Sequence, residues 1–279
     1  MRAYAIYLVI RGVGAFAMGM ATTLNLVYQI QTVGLGPLEL VLVGTVLEAT
    51  CFVAQIPTGV IADLFSRRLS VIVGYALIGV GFLIEGLVPE FLAVLVGNVV
   101  WGVGATCVDG AEEAWATDET GPDRAGLVFT RGSQLAQLGT VAGIVASVAL
   151  ASVRLNLPLV VAAGCWVALA AALVVVMPER HFRPAPVDER GSWRSMRSQF
   201  ADGVRVVRRS RVLLCLLGAI FFLGLGSEAR DRLTQAHFLA DLGFPPVGTP
   251  VIWLGAIGAV ALLGSIVLTE VLRRRAAGL

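Results

Sequence analysis

Lysine is absent from the sequence, histidine is rare, and charged residues of every kind are few. All 21 basic residues are arginines, only two histidines occur, and charged residues make up 14% of the 279 positions, roughly half their usual share in soluble domains. We find no phosphate-binding loop, no cluster of metal ligands and no nucleophile with a neighbouring base. These absences predict that the chain is not an enzyme, holds no metal and has no resident cofactor.

The cysteines are few and scattered. Each lies alone in an apolar stretch, without a CxxC pair or a nearby histidine cluster, so we expect buried free thiols rather than disulfides or metal ligands. They are Cys51, Cys107, Cys165 and Cys215.

Apolar residues dominate instead. Hydrophobic residues make up 57% of the chain and the mean hydropathy is +0.84, which indicates a membrane protein. Eight stretches are long enough to cross a bilayer, and the first is too long for a cleaved signal peptide. They should be helices, because hydrocarbon does not tolerate unpaired backbone groups and the alternation of a barrel is missing. These stretches cover residues 4–30, 38–62, 69–88, 91–113, 126–152, 157–177, 212–239 and 249–272.

The arginines are distributed very unevenly between the two sides that these spans define. If the N-terminus is cytoplasmic, sixteen arginines fall in inner segments, and Arg154 is the one arginine in an outer connection. This bias predicts a multi-pass plasma-membrane protein, of bacterial type, with both termini inside. Nucleic-acid binding would need the arginines on one exposed face, and we do not expect a nucleic-acid partner.

A polar connection divides the chain into three parts. We predict a six-helix transmembrane half over 1–177, a cytoplasmic linker over 178–211, and two further spans over 212–279. In the second half of the linker, apolar residues recur three or four positions apart between arginines, from Trp193 to Val207. This pattern favours an amphipathic helix on the membrane surface, and a solvated linker is the alternative.

The connection between the second and third spans carries a recognisable motif. Gly59, Asp63, Arg67 and Arg68 match a pattern of Gly, three residues, Asp, a basic residue, any residue, Gly and two basic residues. This loop resembles that of the major facilitator superfamily, although Leu64 and Ser66 depart from the pattern. A capping aspartate with topogenic arginines would explain the residues but not their spacing. Glycine at position 59 is expected to permit close helix approach.

The resemblance extends to two other segments. Residues 109–119 at the end of span four, and Met177 to Glu179 after span six, are similar to drug-efflux-like members of the superfamily. The resemblance implies an all-α integral membrane protein with a superfamily-type helical bundle, of which this chain holds about eight of twelve spans. We therefore expect a C-terminally incomplete transporter.

The function that the resemblance implies is secondary-active efflux of an unknown small molecule by alternating access, driven by protons or another ion. A non-transporting membrane scaffold or partner subunit is the alternative. Two departures weaken proton antiport: Asn98 stands where exporters often carry arginine, and span five lacks the family's Gly-Pro pair. Its Gly139 and Gly143 read as a small-residue packing face.

Charges inside spans are functional candidates by default, because they are costly in hydrocarbon. Arg11 and Glu48 lie at depths that allow them to pair. Glu48 is predicted either to form a structural ion pair with Arg11 or to serve as a coupling carboxyl or an anchor for cations. A second set is predicted to form an inner-gate charge network in which an arginine of span five can reach carboxylates of span four; solvated residues at the interface and a substrate contact are the alternatives. Its members are Asp109, Glu112, Glu113 and Arg131.

Two further sets complete the candidate sites. Span seven carries an outer-gate cluster in which residues four apart can pair along the helix, unless the helix ends before it; its members are Glu228, Arg230, Asp231 and Arg232. Uncharged polar side chains are predicted either to line a cavity or to join helices; they are Asn25, Gln29, Asn98, Gln134 and Gln137.

Overall fold

The chain is described by a computed structural model. It describes residues 2–182, residues 205–237 and six positions between 253 and 264; the side chains of residues 2 and 225–236 lie outside the description. Within these ranges every regular element is helical. In chain order the helices are α1 (Arg2–Thr22), α2 (Asn25–Tyr28) with a π-helical segment (Gln29–Val33), α3 (Pro37–Leu64), α4 (Arg67–Leu87), α5 (Phe91–Val108), α6 (Ala111–Thr120), α7 (Pro122–Ala151), α8 (Leu157–Val176) and α9 (Arg211–His237).

The predicted membrane spans correspond closely to these helices. Six helical stretches in the described chain are long and apolar enough to cross a membrane: Ala3–Val33, Pro37–Leu64, Arg67–Leu87, Phe91–Thr120, Pro122–Ala151 and Leu157–Val176. The prediction for span four ended too early, at residue 113, because the helix resumes after a break and continues to Thr120. The predicted seventh span coincides with α9. Residues 183–204 of the linker and nearly all of the eighth span lie outside the described residues.

Successive spans run in opposite directions and pack as one bundle. The first span packs mainly against α7 and α8, α4 packs against α5 and α8, and α3 packs against α5. We call the end that holds the α3–α4 and α6–α7 connections and the end of α8 the proximal end. The opposite end, with residues 34–36, 88–90 and 152–156, is the distal end. The proximal connections are very short: residues 65 and 66 join α3 to α4, and Gly121 alone joins α6 to α7.

The contact between α1 and α7 depends on glycine. A Cβ added at Gly139 would collide with the main-chain oxygen of Gly12, and one at Gly143 would collide with that of Phe16. On the α1 side, a Cβ at Gly19 would lie 2.8 Å from the main-chain oxygen of Thr140. These glycines let the two backbones approach closely, which confirms the small-residue packing face.

Two spans are interrupted near residues with polar side chains. The first span changes from α1 to the short α2 and then to the π-helical segment, which ends at Gly34 with φ of 81°. The fourth span breaks between α5 and α6, where Gly110 adopts φ of 76°. A residue with a Cβ rarely takes this conformation, so glycine makes the second break possible.

The α1–α7 contact generates a stability prediction. Gly143→Val should lower the free energy of unfolding by about 1–3 kcal/mol or more, because its side chain would meet the fixed backbone of α1. Gly164→Val is the matched control, since Gly164 is exposed on α8 and a Cβ there meets no described atom within 4 Å. Thermal unfolding in detergent measures both. Equal midpoints for the two variants would contradict the packing role of Gly143.

Candidate functional site

The break in the fourth span opens onto a cavity of about 440 Å³ in the proximal half of the bundle. Helices α1, α3, α4, α5, α6 and α8 all contribute to its wall. Apolar side chains supply much of the lining, and polar and aromatic residues supply the rest. The chemically distinctive lining residues are Arg11, Gln55, Tyr75, Asp109, Glu112, Glu113 and Trp166.

Arg11 is the centre of a charge network at this cavity. Its Nη1 lies 3.8 Å from Oε1 of Glu112 and 3.7 Å from Oε1 of Glu113. The other carboxylate oxygen of Glu112 accepts a 2.7 Å hydrogen bond from the hydroxyl of Tyr75. Glu112 is only 1% exposed, so this network joins α1, α4 and α6 inside the bundle.

The predicted pairings for Arg11 and Arg131 are wrong. Glu48 is exposed on α3, whereas Arg11 forms its ion pairs with α6. Arg131 is also exposed, and its Nη1 donates to Oε1 of Gln134 at 3.2 Å rather than to the carboxylates of span four. The reason is the α1–α7 contact, which turns Gly132 toward α1 and leaves the neighbouring Arg131 on another face.

Asp109 lies at the break itself. One oxygen of its exposed carboxylate accepts a 2.9 Å hydrogen bond from Nε2 of Gln55, and no described cation lies within 4 Å of it. Asp109, Glu112 and Glu113 therefore line one cavity, although they belong to two helical segments rather than one continuous face. Three carboxylates against one guanidinium give the described wall an acidic character.

A second polar cluster is buried near the distal end, around a residue that the sequence analysis missed. Oε1 of Glu85 accepts a hydrogen bond from Nε2 of Gln29 at 2.6 Å, and Oε2 accepts one from Nδ2 of Asn98 at 3.3 Å. The rule that selected the other intramembrane charges also applies to Glu85, which lies inside the predicted span 69–88. Applied evenly, that rule would have found it.

The uncharged residues predicted to line a cavity lie elsewhere. Gln29 and Asn98 are buried between helices beside Glu85, and Oδ1 of Asn25 is buried without a hydrogen-bond partner among the described residues. Gln134 and Gln137 are exposed on α7. None of the five lines the cavity described above, because the helix contacts turn them into interhelical positions or onto the surface.

The loop motif forms a charge cluster at the proximal end. Nη1 of Arg67 donates to Oδ2 of Asp118 at 2.5 Å, and Nη2 donates to Oδ1 of Asp63 at 3.2 Å. Nη2 of Arg68 donates to the main-chain oxygen of Val174 at 2.5 Å. Asp63 thus has a partner within the chain. A Cβ at Gly59 meets no described atom within 4 Å, so the expected close approach is not made by the described helices.

The segment after α8 is held by the same proximal cluster. Glu179 accepts hydrogen bonds from the hydroxyl of Ser66 at 2.7 Å and from the main-chain nitrogen of Arg68 at 3.0 Å. Oε1 of Glu119 accepts from the main-chain nitrogens of Arg180 and His181, at 2.6 and 3.0 Å. The ends of α4, α6 and α8 are therefore tied together by these two carboxylates.

The remaining predicted residues are only partly described. Helix α9 continues through residues 228–232, so it does not end before the predicted outer-gate cluster. The side chains of that cluster, Glu228, Arg230, Asp231 and Arg232, lie outside the described residues. The four cysteines are free, and Cys215 is exposed on α9 while the other three are partly buried.

The Arg11 network generates a second prediction. Arg11→Gln should destabilise the protein by about 3–5 kcal/mol, because it removes the cation that faces the buried Glu112. Arg131→Gln, the control, should change stability by less than about 0.5 kcal/mol, since Arg131 is exposed. The double variant Arg11→Gln/Glu112→Gln should lose less stability than the sum of the losses in the two single variants, as measured by thermal unfolding. Additive losses would contradict an interaction between Arg11 and Glu112.

Comparison with known proteins agrees with this architecture. A curated relative, the uncharacterized MFS-type transporter YxaM of Bacillus subtilis (strain 168), is 22% identical over 227 residues. The match covers 81% of this chain and 56% of that protein, so the chain spans little more than half of its curated relative.

Solved structures show the same fold. The nucleoside transporter NupG superposes with a TM-score of 0.74 at 13% identity, over 99% of this chain and 68% of that chain. A bacterial homolog of the human lysosomal transporter Spinster, inward-facing and unoccupied, superposes with a TM-score of 0.69 at 18% identity. This match covers 98% of this chain and 63% of that chain. The family model described as Major Facilitator Superfamily matches residues 8–278. The chain, whose described residues form a bundle of helices long and apolar enough to cross a membrane, belongs to the Major Facilitator Superfamily.

Proposed function

We propose that this chain belongs to a secondary-active exporter of small molecules that works by alternating access. The observation that carries the proposal is the cavity of about 440 Å³ at the break in span four, with carboxylate and hydrogen-bonding groups on its wall. Broken helices whose ends face a cavity are a recurrent way of building substrate sites in transporters. Efflux direction rests on the similarity of residues 109–119 and 177–179 to drug-efflux-like members.

The acidic wall favours a substrate that carries a positive charge. Two of its carboxylates face Arg11, which leaves the Asp109 carboxylate at the break as the substrate contact in this proposal. The rest of the lining is mostly apolar, and Tyr75 and Trp166 belong to it although both are almost fully buried. An organic cation of moderate size, with an apolar body, matches this combination of carboxylate and apolar groups.

The proximal charge cluster supports movement of the bundle as one unit. Arg67, Arg68, Glu119 and Glu179 join the proximal ends of α3, α4, α6 and α8 and the segment that follows α8. Ion pairs and hydrogen bonds of this kind make it costly for the helix ends to bend separately. The bundle would therefore rock against a second half as a whole. With the arginine bias, this end is the cytoplasmic one in our proposal, at the plasma membrane.

Accumulation of fluorescent compounds tests the proposal. Cells lacking their own exporters would express the 279-residue chain or a version extended to twelve spans, and would be loaded with matched cationic and neutral dyes. We expect lower accumulation of cationic dyes with at least one of the two proteins. If neither changes the accumulation of any dye while both reach the membrane, the scaffold or partner-subunit alternative is favoured.

Asp109→Asn tests the proposed contact. A charge-assisted hydrogen bond contributes roughly 1.5–3 kcal/mol, so the variant should raise the half-saturating concentration of a cationic dye about tenfold or more. Neutral dyes should be affected much less. Asp123→Asn, at an exposed carboxylate at the start of α7, is the control and should leave export unchanged. Equal effects of the two variants would remove Asp109 from the site.

A further inference from the structure

The wall of the proposed substrate cavity contains a hydrogen bond between side chains of two different spans. Nε2 of Gln55, on α3, donates to Oδ2 of Asp109 at 2.9 Å. Asp109 lies at the break in span four, and both residues line the cavity. The second span is therefore bonded to the carboxylate that contacts the substrate in the function proposed above.

The neighbours of Gln55 on α3 also bond to α5. One turn before it, the thiol of Cys51 donates to a main-chain oxygen of α5 at 3.8 Å. One turn after it, the hydroxyl of Thr58 donates to the main-chain oxygen of Thr106 at 3.0 Å, and both threonines are buried. Residues three or four apart share one face of a helix. These three side chains therefore form a polar stripe that holds α3 beside the break.

The bond between Gln55 and Asp109 fixes the direction of both groups. An ionised carboxylate only accepts hydrogen bonds, so Gln55 must present its amide nitrogen to Asp109. A carboxylate has about four acceptor positions, and the amide occupies one of them. Because the carboxylate cannot rotate without breaking this bond, its remaining acceptor positions keep fixed directions.

Two kinds of organic cation use such a carboxylate differently. A protonated amine, amidine or guanidine carries N–H groups and forms charge-assisted hydrogen bonds, which depend on direction. A quaternary ammonium ion has no N–H group, and aromatic faces are the surfaces that typically recognise it. Tyr75 and Trp166, the aromatic residues of the described wall, are only 6% and 1% exposed. The described wall therefore favours cations that donate hydrogen bonds.

We propose that Gln55 determines the substrate specificity of this cavity. By fixing Asp109, it makes the site selective for cations with N–H groups over quaternary ammonium ions of the same charge and the same apolar body. Gln55 is a positioning residue, because it acts through Asp109. The inference rests on the substrate contact proposed above, and binding can be measured without transport.

A matched pair of compounds tests this specificity. Phenylbutylamine and its trimethylammonium analogue have the same apolar body, and both are cations at neutral pH, since an aliphatic amine stays protonated there as lysine does. In the 279-residue chain with Cys107, Cys165 and Cys215 replaced by alanine, Cys51 is the remaining thiol, and it lines the cavity. The measured quantity is the concentration of each compound that halves the rate at which a small neutral thiosulfonate labels Cys51 in detergent.

We expect the amine to protect Cys51 at about one-tenth of the concentration that the quaternary compound requires, because it gains one charge-assisted hydrogen bond. Gln55→Met keeps the length of the side chain but removes the donor. The amine should then bind about fivefold more weakly while the quaternary compound binds as before, so the ratio falls to about two. Gln137→Met, at an exposed glutamine of α7 outside the cavity, is the matched control and should keep the parent ratio.

A second variant tests whether Gln55 acts through Asp109. Asp109→Asn should weaken the binding of both compounds, since it removes the negative charge that attracts them. In that background Gln55→Met should not change the ratio any further. If Gln55 had only a structural role, Gln55→Met would weaken both compounds equally and leave the ratio of the parent protein.

Thermal unfolding gives the same ratio if Cys51 is labelled too slowly, because each compound raises the midpoint according to its affinity. Equal binding of the two compounds to the parent protein would overturn the proposal, and so would a lack of binding by both. A selectivity that persists in Gln55→Met would also overturn it, and would assign the preference to the size of the methyl groups. Selective binding together with a failed dye assay would overturn the exporter function alone, so the two proposals fail separately.

Discussion

Hydrocarbon offers no hydrogen bonds, so the backbone groups of a span must be bonded within it and its buried charged groups need partners inside the bundle. This constraint explains why the described spans are helices and why their buried carboxyl groups are bonded. Glu112 is held by Arg11 and Tyr75, and Glu85 is held by two amides. In both clusters the polar groups come from different spans, so satisfying them also fixes how those spans are arranged.

The same constraint decides where the sequence is informative. Hydropathy alone located the described spans to within a few residues, except at the end of span four, because the length of a hydrophobic stretch is set by the thickness of the bilayer. The spacing of Gly59, Asp63, Arg67 and Arg68 indicated the family, because the motif is local. Neither the hydropathy nor the motif spacing depends on which helices are neighbours in the bundle.

The pairing of charges did require that knowledge, and there the predictions failed. Depth in the membrane suggested Glu48 as the partner of Arg11, but α1 packs beside α7 and α8 and reaches α6, while α3 lies against α5. Likewise, Gly132 rather than Arg131 faces α1. A helical register shift of one residue turns a side chain by about 100°, since a turn contains 3.6 residues. Sequence spacing gives the faces of each helix, but the packing determines which face meets which.

The short proximal connections have a consequence for how the protein enters the membrane. Spans four and five are separated by Gly121 alone, and spans two and three by residues 65 and 66. A connection this short keeps the start of the second helix at the membrane face where the first helix ends. The two helices of each pair therefore stay adjacent throughout insertion and cannot be parted by another span at that face.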